Sequence, residues 1–228
     1  MCKTLELLKK LLELTHRDKE VEINKVLISI GIKNDLESIL EIFKEDELIE
    51  DYDKQEGKLK VSFENRLKMA IKAIQLGGDV EGICKKLDWK EFENFVSKIL
   101  EVRGYNVSKH YRFKHKNRKY EIDILAYNDL FILCIDCKHW KYGWQKSKLL
   151  KAAKMQLNRA ITFSKLDKEL KFIKKEKKLR IFPIVLTLMD VPFKELVKVP
   201  IVPILKFNDF IYRLSPTIDE FVKITIES

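Results

Sequence analysis

The chain has few of the features that mark a disulfide-stabilised, membrane-embedded or low-complexity protein. Its 228 residues include only four cysteines, seven glycines and five prolines, and the cysteines lie mostly in apolar stretches. No apolar run approaches the roughly 20 residues that a membrane-spanning helix needs, and neither an internal repeat nor a secretory signal segment is recognisable. We therefore expect a cytoplasmic protein with reduced cysteines and no association with membranes.

The cysteines also give little support for a zinc site. Cys134 and Cys137 have the C-x-x-C spacing of a zinc knuckle, but they lie in an apolar segment that is typical of a β-strand. A separation of three residues on a strand places two side chains on opposite faces, whereas zinc knuckles need a turn between their cysteines. We therefore reject zinc and expect Cys134 to share a face with Asp136 and Lys138.

Two short segments carry most of the functional information. Residues 120–125 (YEIDIL) and 131–138 (FILCIDCK) are rich in Ile, Leu and aromatic residues, and a polar turn separates them. This pattern predicts two β-strands joined as a hairpin. The charged residues at the end of the second strand are unusual, because Asp and Lys are poor strand residues and the preceding run is apolar enough to be buried.

Alternation along the two strands brings their charges together. It places Asp136 and Lys138 on one face, and it likewise places Glu121 and Asp123 on one face. In a hairpin, carboxylates and an ammonium group would then meet on one patch of the sheet. The alternative is that these charges lie on an outer face of the sheet and are solvated. If the patch is buried, the cost of burying its charges must be compensated, and a divalent cation is the usual means.

A predicted helix precedes these strands. Its apolar stripe has the three- and four-residue spacing of an amphipathic helix and consists of Trp89, Phe92, Val96, Ile99 and Leu100. Glu93 falls on or beside this stripe, whereas Glu91 is expected to face solvent. A carboxylate directed toward a core usually has a cation near it, so Glu93 is a further candidate. Gly104 is expected to end the helix.

These motifs together resemble the PD-(D/E)xK nuclease superfamily. In chain order they are Phe92-Glu93, Gly104-Tyr105, Glu121-Ile122-Asp123 and Asp136-x-Lys138. The resemblance covers about residues 86–205 and is greatest to Mrr-type restriction endonucleases, with archaeal Holliday-junction resolvases further away. It implies an α/β fold with a restriction-endonuclease-like mixed central sheet flanked by helices.

The resemblance also implies roles for individual residues. Asp123 and Asp136 would be metal ligands, Glu93 a carboxylate near the metal, and Lys138 the catalytic lysine. The implied cofactor is Mg²⁺, with Mn²⁺ able to substitute, because a bound divalent cation lowers the pKa of water for phosphodiester hydrolysis. Whether Lys138 orients or deprotonates the water, or instead stabilises developing charge, stays open at this point.

One glutamine belongs to the same set. Gln156 lies on the apolar face of a helix predicted from about Gln145 to Phe163. By resemblance it would match a glutamine that several of these nuclease families place on the helix after the lysine strand. The alternative is a core amide whose hydrogen bonds are satisfied, and the sequence favours neither.

Charge divides the chain into an acidic first part and a basic remainder. Residues 1–64 contain 11 Lys and Arg against 16 Asp and Glu, a net charge of −5, and residues 65–228 contain the remaining 34 against 19, a net charge of +15. A basic domain joined to an acidic one indicates a nucleic-acid partner for the basic one.

Basic residues cluster next to the candidate site. Those expected to contact phosphates are Arg112, Lys114, His115, Lys116, Arg118 and Lys119. A solvated hairpin loop is the alternative for this cluster. His139, which directly follows Lys138, is a further candidate for a substrate contact, again with a solvated role as the alternative.

The acidic part predicts three helices followed by a hairpin, an order that resembles a winged helix. The expected helices span residues 4–14, 22–30 and 35–44, and the expected strands span 48–52 and 58–63. The third helix carries Asp35, Glu37, Glu41 and Glu45, with Lys44 as its only cation. Such a helix would repel phosphates, so self-association or binding of a protein partner is favoured over DNA reading.

We therefore predict a winged-helix-like domain at residues 1–64, a connecting helix and linker at 65–85, and a nuclease domain at 86–228. The predicted function is that of a Mg²⁺-dependent endodeoxyribonuclease of the restriction or defence type. The alternatives are a structure-specific nuclease or Holliday-junction resolvase of DNA repair, and a non-catalytic nucleic-acid-binding module with a nuclease fold. The expected partners are DNA and, through the acidic domain, a second copy or another protein.

Overall fold

The computed structural model describes residues 3–15, 20–31, 36–49, 51–53, 55–166, 179–214, 221 and 224–226. The chain divides into two compact units, Met1–Phe95 and Val96–Ser228. None of the described helices is long and apolar enough to cross a membrane. Asp35, one of the carboxylates expected on the third helix, lies outside the described residues.

Short helices and a small antiparallel sheet form the first unit. Its elements are α1 (Lys3–Leu14), β1 (Val21–Glu22), α2 (Ile23–Ser29), α3 (Leu36–Glu45), β2 (Asp51–Asp53), β3 (Lys58–Lys60), α4 (Phe63–Gln75), α5 (Val80–Cys84) and the first part of α6 (Trp89–Val102). The sheet has the order β1-β3-β2. The three helices and the hairpin lie close to the predicted ranges, and the winged-helix interpretation stays a prediction.

A buried ion pair connects the elements of this unit. Arg66 of α4 donates from Nε to Glu91 Oε1 at 2.6 Å, and the two side chains are only 1% and 2% exposed. The remaining guanidinium donors bind the Leu12 carbonyl, the Thr15 hydroxyl and the Lys86 carbonyl. A buried arginine is tolerated because every polar edge of its guanidinium finds an acceptor.

The expectation that Glu91 faces solvent is therefore wrong. Glu91 also caps its own helix, because the Asp88 N–H donates to its carboxylate at 2.7 Å and its N–H donates to Asp88 Oδ1 at 2.9 Å. This reciprocal pair is a capping box. Conversely, Trp89, which was expected on the apolar stripe, is 51% exposed. Gly104 follows the helix with a φ of +80°, as its predicted capping role requires.

The second unit contains a seven-stranded mixed sheet. Its elements after α6 are β4 (Asn106–His115), β5 (Arg118–Tyr127), β6 (Phe131–Lys138), α7 (Lys146–Phe163), β7 (Leu179–Thr187), β8 (Glu195–Leu196), β9 (Val199–Pro203), α8 (Ile204–Arg213) and β10 (Ile224–Ile226). The order is β4-β5-β6-β7-β9-β8, with β10 paired to β7. The predicted fold class, an α/β fold with a mixed sheet flanked by helices, is confirmed.

The position of α7 follows from the sheet topology. Strands β4, β5 and β6 are antiparallel, whereas β6, β7 and β9 run parallel. A parallel connection needs a crossover, and α7 lies in the segment between β6 and β7. Its buried face packs Phe163 against Tyr111 and Phe113 of β4, with ring centroids 5.6 and 5.7 Å apart. This packing fixes the helix over the end of the β5–β6 hairpin.

Candidate active site

Two aspartates face each other where β5 and β6 stop pairing. The antiparallel ladder runs from Tyr127 opposite Ile132 to Ile124 opposite Ile135. One further step of this register places Asp123 opposite Asp136. The ladder is not continued there, and the Cys137 N–H instead donates to Asp123 Oδ2 at 2.8 Å. The regular main-chain pairing of the two strands therefore ends at the two carboxylates.

Asp136 is a buried carboxylate held by two cations. Lys138 Nζ lies 2.6 Å from its Oδ2, and Arg159 Nη1 lies 2.7 Å from its Oδ1. The side chain of Asp136 is 2% exposed, whereas Lys138 and Arg159 are 25% and 20% exposed. The Lys138 contact is close but poorly aligned for a hydrogen bond, so its contribution is mainly electrostatic. The buried charge is thereby compensated from the solvent side.

Asp123 is the carboxylate whose ionisation this arrangement disfavours. Its burial, followed by the negative charge of Asp136, raises its pKa above the ordinary range. The hydrogen bond from the Cys137 N–H and the charges of Lys138 and Arg159 oppose that shift. Two carboxylates that share one site repel each other, and a further cation between them would favour the doubly ionised state.

Gln156 contacts Arg159, the arginine that binds Asp136, and carries an unused donor. The residue is completely buried on α7. Its Oε1 accepts a hydrogen bond from Arg159 Nη1 at 3.2 Å, which fixes the amide orientation because a guanidinium only donates. Among the described residues its Nε2 has no hydrogen-bond partner. An unpaired buried donor costs free energy, so Gln156 is not the satisfied core amide of the alternative interpretation.

Arg159 was missed by the sequence interpretation. It lies three residues after Gln156, and residues at this spacing share a helix face. An arginine three residues after Gln156 on α7 is the signal that would have identified it, because this helix face was predicted to carry a residue of the acidic site. Its pairing with Asp136 makes it the second cation of the site.

Glu93 lies on α6 and belongs to the first unit. Its side chain is buried, at 5% exposure, in agreement with the expectation that it points away from solvent. Its part in a metal site stays a prediction. His139, directly after the end of β6, is half-buried and lines a surface cleft together with the residues that follow it.

Glu121 does not join the two aspartates. Its carboxylate instead pairs with Arg112 Nε at 2.8 Å and lies 3.4 Å from His110 Nδ1. These ion pairs lower the pKa of Glu121, chiefly through the hydrogen bond from Arg112. The expectation that Glu121 shares a face with Asp123 is wrong.

A backbone irregularity explains this difference. His110, opposite Asp123 in the β4–β5 register, has a φ of +50°, and the ladder is interrupted at this position. A positive φ is uncommon for a residue with a side chain. Ile122 and Leu125 pack in the same apolar cluster, although a separation of three would place them on opposite faces of a regular strand. Simple alternation therefore fails at Asp123.

The β4–β5 hairpin carries the predicted phosphate contacts. Its turn is formed by Lys116 and Asn117, with φ of +44° and +64°, as in the type I′ turns that favour hairpins. Arg112 is exposed and pairs with Glu121 through its Nε, and His115 is half-buried. Four basic side chains are exposed and form no ion pair within the part of the chain that the structure describes: Lys114, Lys116, Arg118 and Lys119.

The donor set suits a loosely held divalent cation. Within the described ranges, no group of three or more His, Cys, Asp and Glu side chains lies close enough to hold a metal ion. The pair formed by Asp123 and Asp136 nevertheless fits Mg²⁺, which is usually held through one or two carboxylates and completes its shell with water and substrate phosphates.

Comparison with known proteins supports a nuclease family. Residues 88–200 match the family model of NERD, the nuclease-related domain. An uncharacterized protein of Archaeoglobus fulgidus is 28% identical over 134 residues, which are 58% of this chain and 96% of that protein. The crystal structure of protein VC1899 from Vibrio cholerae is similar over 90% of this chain and 48% of its own, with a TM-score of 0.36 and 12% identity. The chain therefore spans about half the length of that protein. The Mrr-type assignment stays a prediction.

Proposed function

We propose that the nuclease-related region is the catalytic part of a divalent-metal-dependent endodeoxyribonuclease, with Asp123, Asp136 and Lys138 at its active site. One observation carries the proposal. Within a region that matches a nuclease-related domain, a buried aspartate lies opposite a second aspartate and between two cations. Mg²⁺ is the expected metal, with Mn²⁺ able to substitute.

Each side chain then has a definable task. Asp123 and Asp136 would hold the metal, which would supply a Lewis acid and lower the pKa of the attacking water. The ammonium of Lys138 is partly exposed beside the carboxylates, where it can bind a phosphate oxygen. Because Lys138 Nζ pairs with the Asp136 carboxylate at 2.6 Å, we assign Lys138 to stabilising the developing negative charge rather than to removing a proton.

The two polar residues of α7 complete the site. The unused Nε2 of Gln156 is a donor for a phosphate oxygen or for the attacking water. Arg159 neutralises one oxygen of Asp136 and orients the Gln156 amide. The exposed basic residues of the β4–β5 hairpin, together with Arg112, His115 and His139, supply the contacts to the DNA backbone. Glu93 is retained as a carboxylate near the metal.

A restriction or defence role is our first assignment for this activity. A structure-specific nuclease that acts on branched DNA is the second candidate, and the aromatic cleft described below favours it. A non-catalytic module that keeps the nuclease fold would be expected to have lost an aspartate or the lysine of the motif. The chain has kept Asp123, Asp136 and Lys138.

Cleavage assays on linear, circular and four-way-junction DNA test the proposal. We expect cleavage with Mg²⁺ or Mn²⁺ and none with chelator. Asp123→Ala and Asp136→Ala should each lose at least about a hundredfold in rate, since removal of a group that stabilises transition-state charge costs on the order of 10²–10³. Asp129→Ala is the matched control, because this exposed aspartate lies in the turn between the same two strands. Full activity in either site variant would refute the assignment.

Lys138 is tested in the same assay by separating chemistry from binding. Lys138→Met should lower the cleavage rate by orders of magnitude while it changes DNA affinity little, because the interaction strengthens as charge develops. Lys154→Met, at an exposed lysine of α7, is the control. Equal losses of rate and affinity would make Lys138 only one more phosphate contact.

A further inference from the structure

A cleft rich in aromatic and basic groups begins one residue beyond Lys138. It has a volume of about 440 Å³ and is lined by His139, Trp140, Lys141, Tyr142, Gly143, Trp144, Gln145 and Lys148. This volume is within the range of small-ligand sites. The lining is continuous in sequence except for Lys148 on the first turns of α7, so the loop between β6 and α7 builds the cleft almost alone.

The three rings of this loop differ in how they are held. Trp140 packs on the apolar cluster beneath α7. Trp144 stands edge-on to Phe193, with ring centroids 5.4 Å apart. Tyr142 lies between them in sequence and is 95% exposed, and it makes no ring contact or hydrogen bond with the described residues. Two anchored rings thus hold a loop whose third ring is offered to solvent.

The turn that presents Tyr142 is defined by its glycine. Gly143 has a φ of +64°, and a Cβ at this position would meet nothing within 4 Å. Glycine is therefore favoured here by the left-handed backbone and not by lack of space. The exposed ring of Tyr142 buries little apolar surface, so it does not stabilise the fold by packing. Its face is accessible to a planar ligand from solvent.

The charge around the ring indicates an anionic partner. Lys141 and Lys148 line the cleft, and Lys146 Nζ lies 5.4 Å from the Phe193 ring centroid. Residues 65–228 carry a net charge of +15. Aromatic faces combined with lysines that follow a backbone are the combination by which proteins bind unpaired nucleotides. Bases inside a duplex have both faces covered by their neighbours and do not offer this contact.

Distance along the chain places the cleft near the cut. Tyr142 is four positions after Lys138, so their Cα atoms are at most about 14 Å apart. At a rise of about 3.4 Å per nucleotide of one strand, this distance corresponds to about four nucleotides or fewer. We propose that the cleft of residues 139–145 and Lys148 holds an unpaired base stacked on Tyr142, and that the DNA substrate therefore has single-stranded nucleotides within a few positions of the cut. The substrate preference rests on the proposed nuclease function.

Binding of labelled DNA to the full chain without metal tests the stacking. The probes are an oligonucleotide with 2-aminopurine in an unpaired overhang and the same sequence in a complete duplex. Tyr142→Ala should weaken binding of the overhang probe by roughly five- to 150-fold, the loss expected for one base–aromatic stack. Stacking on Tyr142 in the wild type should quench the fluorescence of 2-aminopurine, and Tyr142→Ala should restore it. Binding of the complete duplex should stay within about twofold.

Two matched variants make the result specific to the ring face. Tyr142→Phe keeps the stacking surface without the hydroxyl and should bind the overhang probe like the wild type. Tyr212→Ala removes a tyrosine that is 73% exposed on α8 and does not line the cleft, and it should change nothing. An equal loss on both probes with Tyr142→Ala, or no loss on either, would overturn the proposal. Self-association that depends on Tyr142 in the absence of DNA would overturn it too, because the ring would then be a protein contact.

Cleavage measured on the same preparation separates this proposal from the nuclease assignment. Wild-type cleavage in Mg²⁺ that prefers the overhang substrate, and loses this preference in Tyr142→Ala, supports the proposal. Cleavage of both substrates at equal rates, unaffected by the substitution, overturns the substrate preference but leaves the nuclease function intact. Tyr142-dependent binding without cleavage of any substrate supports the stacking site and refutes the nuclease function.

Discussion

At the scale of single residues, Asp123 is a carboxylate whose ionisation the fold disfavours. Burial and the charge of Asp136 raise its pKa, so the folded protein holds this proton more tightly than the unfolded chain does. The contribution of the protonated Asp123 to stability is therefore fully present below the pKa of the unfolded state. It is lost as the pH rises through the pKa of the folded state. Above the folded pKa of Asp123, its ionisation next to Asp136 therefore destabilises the metal-free protein.

Asp123→Asn should therefore raise the Tm of the metal-free protein at pH 7. The amide oxygen can still accept the hydrogen bond from the Cys137 N–H, so the substitution removes the charge and little else. The gain should shrink toward acidic pH, where the wild-type carboxyl is protonated as well. Thermal unfolding in chelator across pH measures this, with Asp129→Asn as the exposed control. A Tm gain that is independent of pH would show that ionisation is not the cause.

Some residues of the candidate site could be proposed from the sequence because their signals are local. Asp136 and Lys138 end an apolar strand, and their shared face follows from alternation alone. Arg159 and Glu91 were not identified, because their roles depend on partners that are distant in sequence. Glu91 is buried only because Arg66, 25 residues earlier, supplies a matching guanidinium, and no periodicity within α6 contains that information.

At the scale of elements, the β4–β5 hairpin concentrates exposed positive charge on a two-residue turn. Lys114, Lys116 and Arg118 form no ion pair among the described residues, so their charge is free to act on phosphates. Replacing all three by Gln should weaken DNA binding at low salt and reduce the slope of log K against log salt by up to about three units. Cleavage at saturating DNA should be nearly unchanged.

The control for the hairpin removes the same charge elsewhere. Lys3, Lys25 and Lys44 are exposed on helices of the acidic first unit, and their replacement by Gln should leave the salt slope unchanged. Titration of both triple variants at several salt concentrations gives the comparison. If the two variants lose affinity to the same extent, net charge governs binding and the hairpin has no special role.

Helices and strands were predictable wherever one regular spacing of apolar residues runs through the whole element. Helices α1, α3 and α7 lie within a few residues of the ranges that apolar spacing predicts. The period fails on β5, because the positive φ of His110 on the neighbouring strand interrupts the ladder opposite Asp123. Because this irregularity lies on β4, the residue pattern of β5 alone does not reveal it. Glu121 was consequently placed on the wrong face.

At the scale of the whole molecule, the chain combines a polyanion-repelling part with a polyanion-attracting part. Residues 1–64 carry a net charge of −5 and residues 65–228 carry +15. Helix α3 contributes to the negative part with the exposed carboxylates of Glu41 and Glu45. If α3 read DNA, these carboxylates would have to approach phosphates, at a cost that grows as salt is lowered.

We therefore expect that neutralising α3 does not weaken DNA binding. Glu41→Gln combined with Glu45→Gln should give the same affinity as the wild type at high salt and a modestly higher affinity at low salt.

The control is Asp129→Asn with Glu195→Gln, which makes the same change of charge at exposed positions of the second unit. DNA titration compares the two variants, and sedimentation follows self-association, which should change only in the α3 variant if this helix contacts a second copy. A loss of DNA affinity confined to the α3 variant would mean that α3 contacts bases through its carboxylates, and the acidic domain would then be a DNA reader.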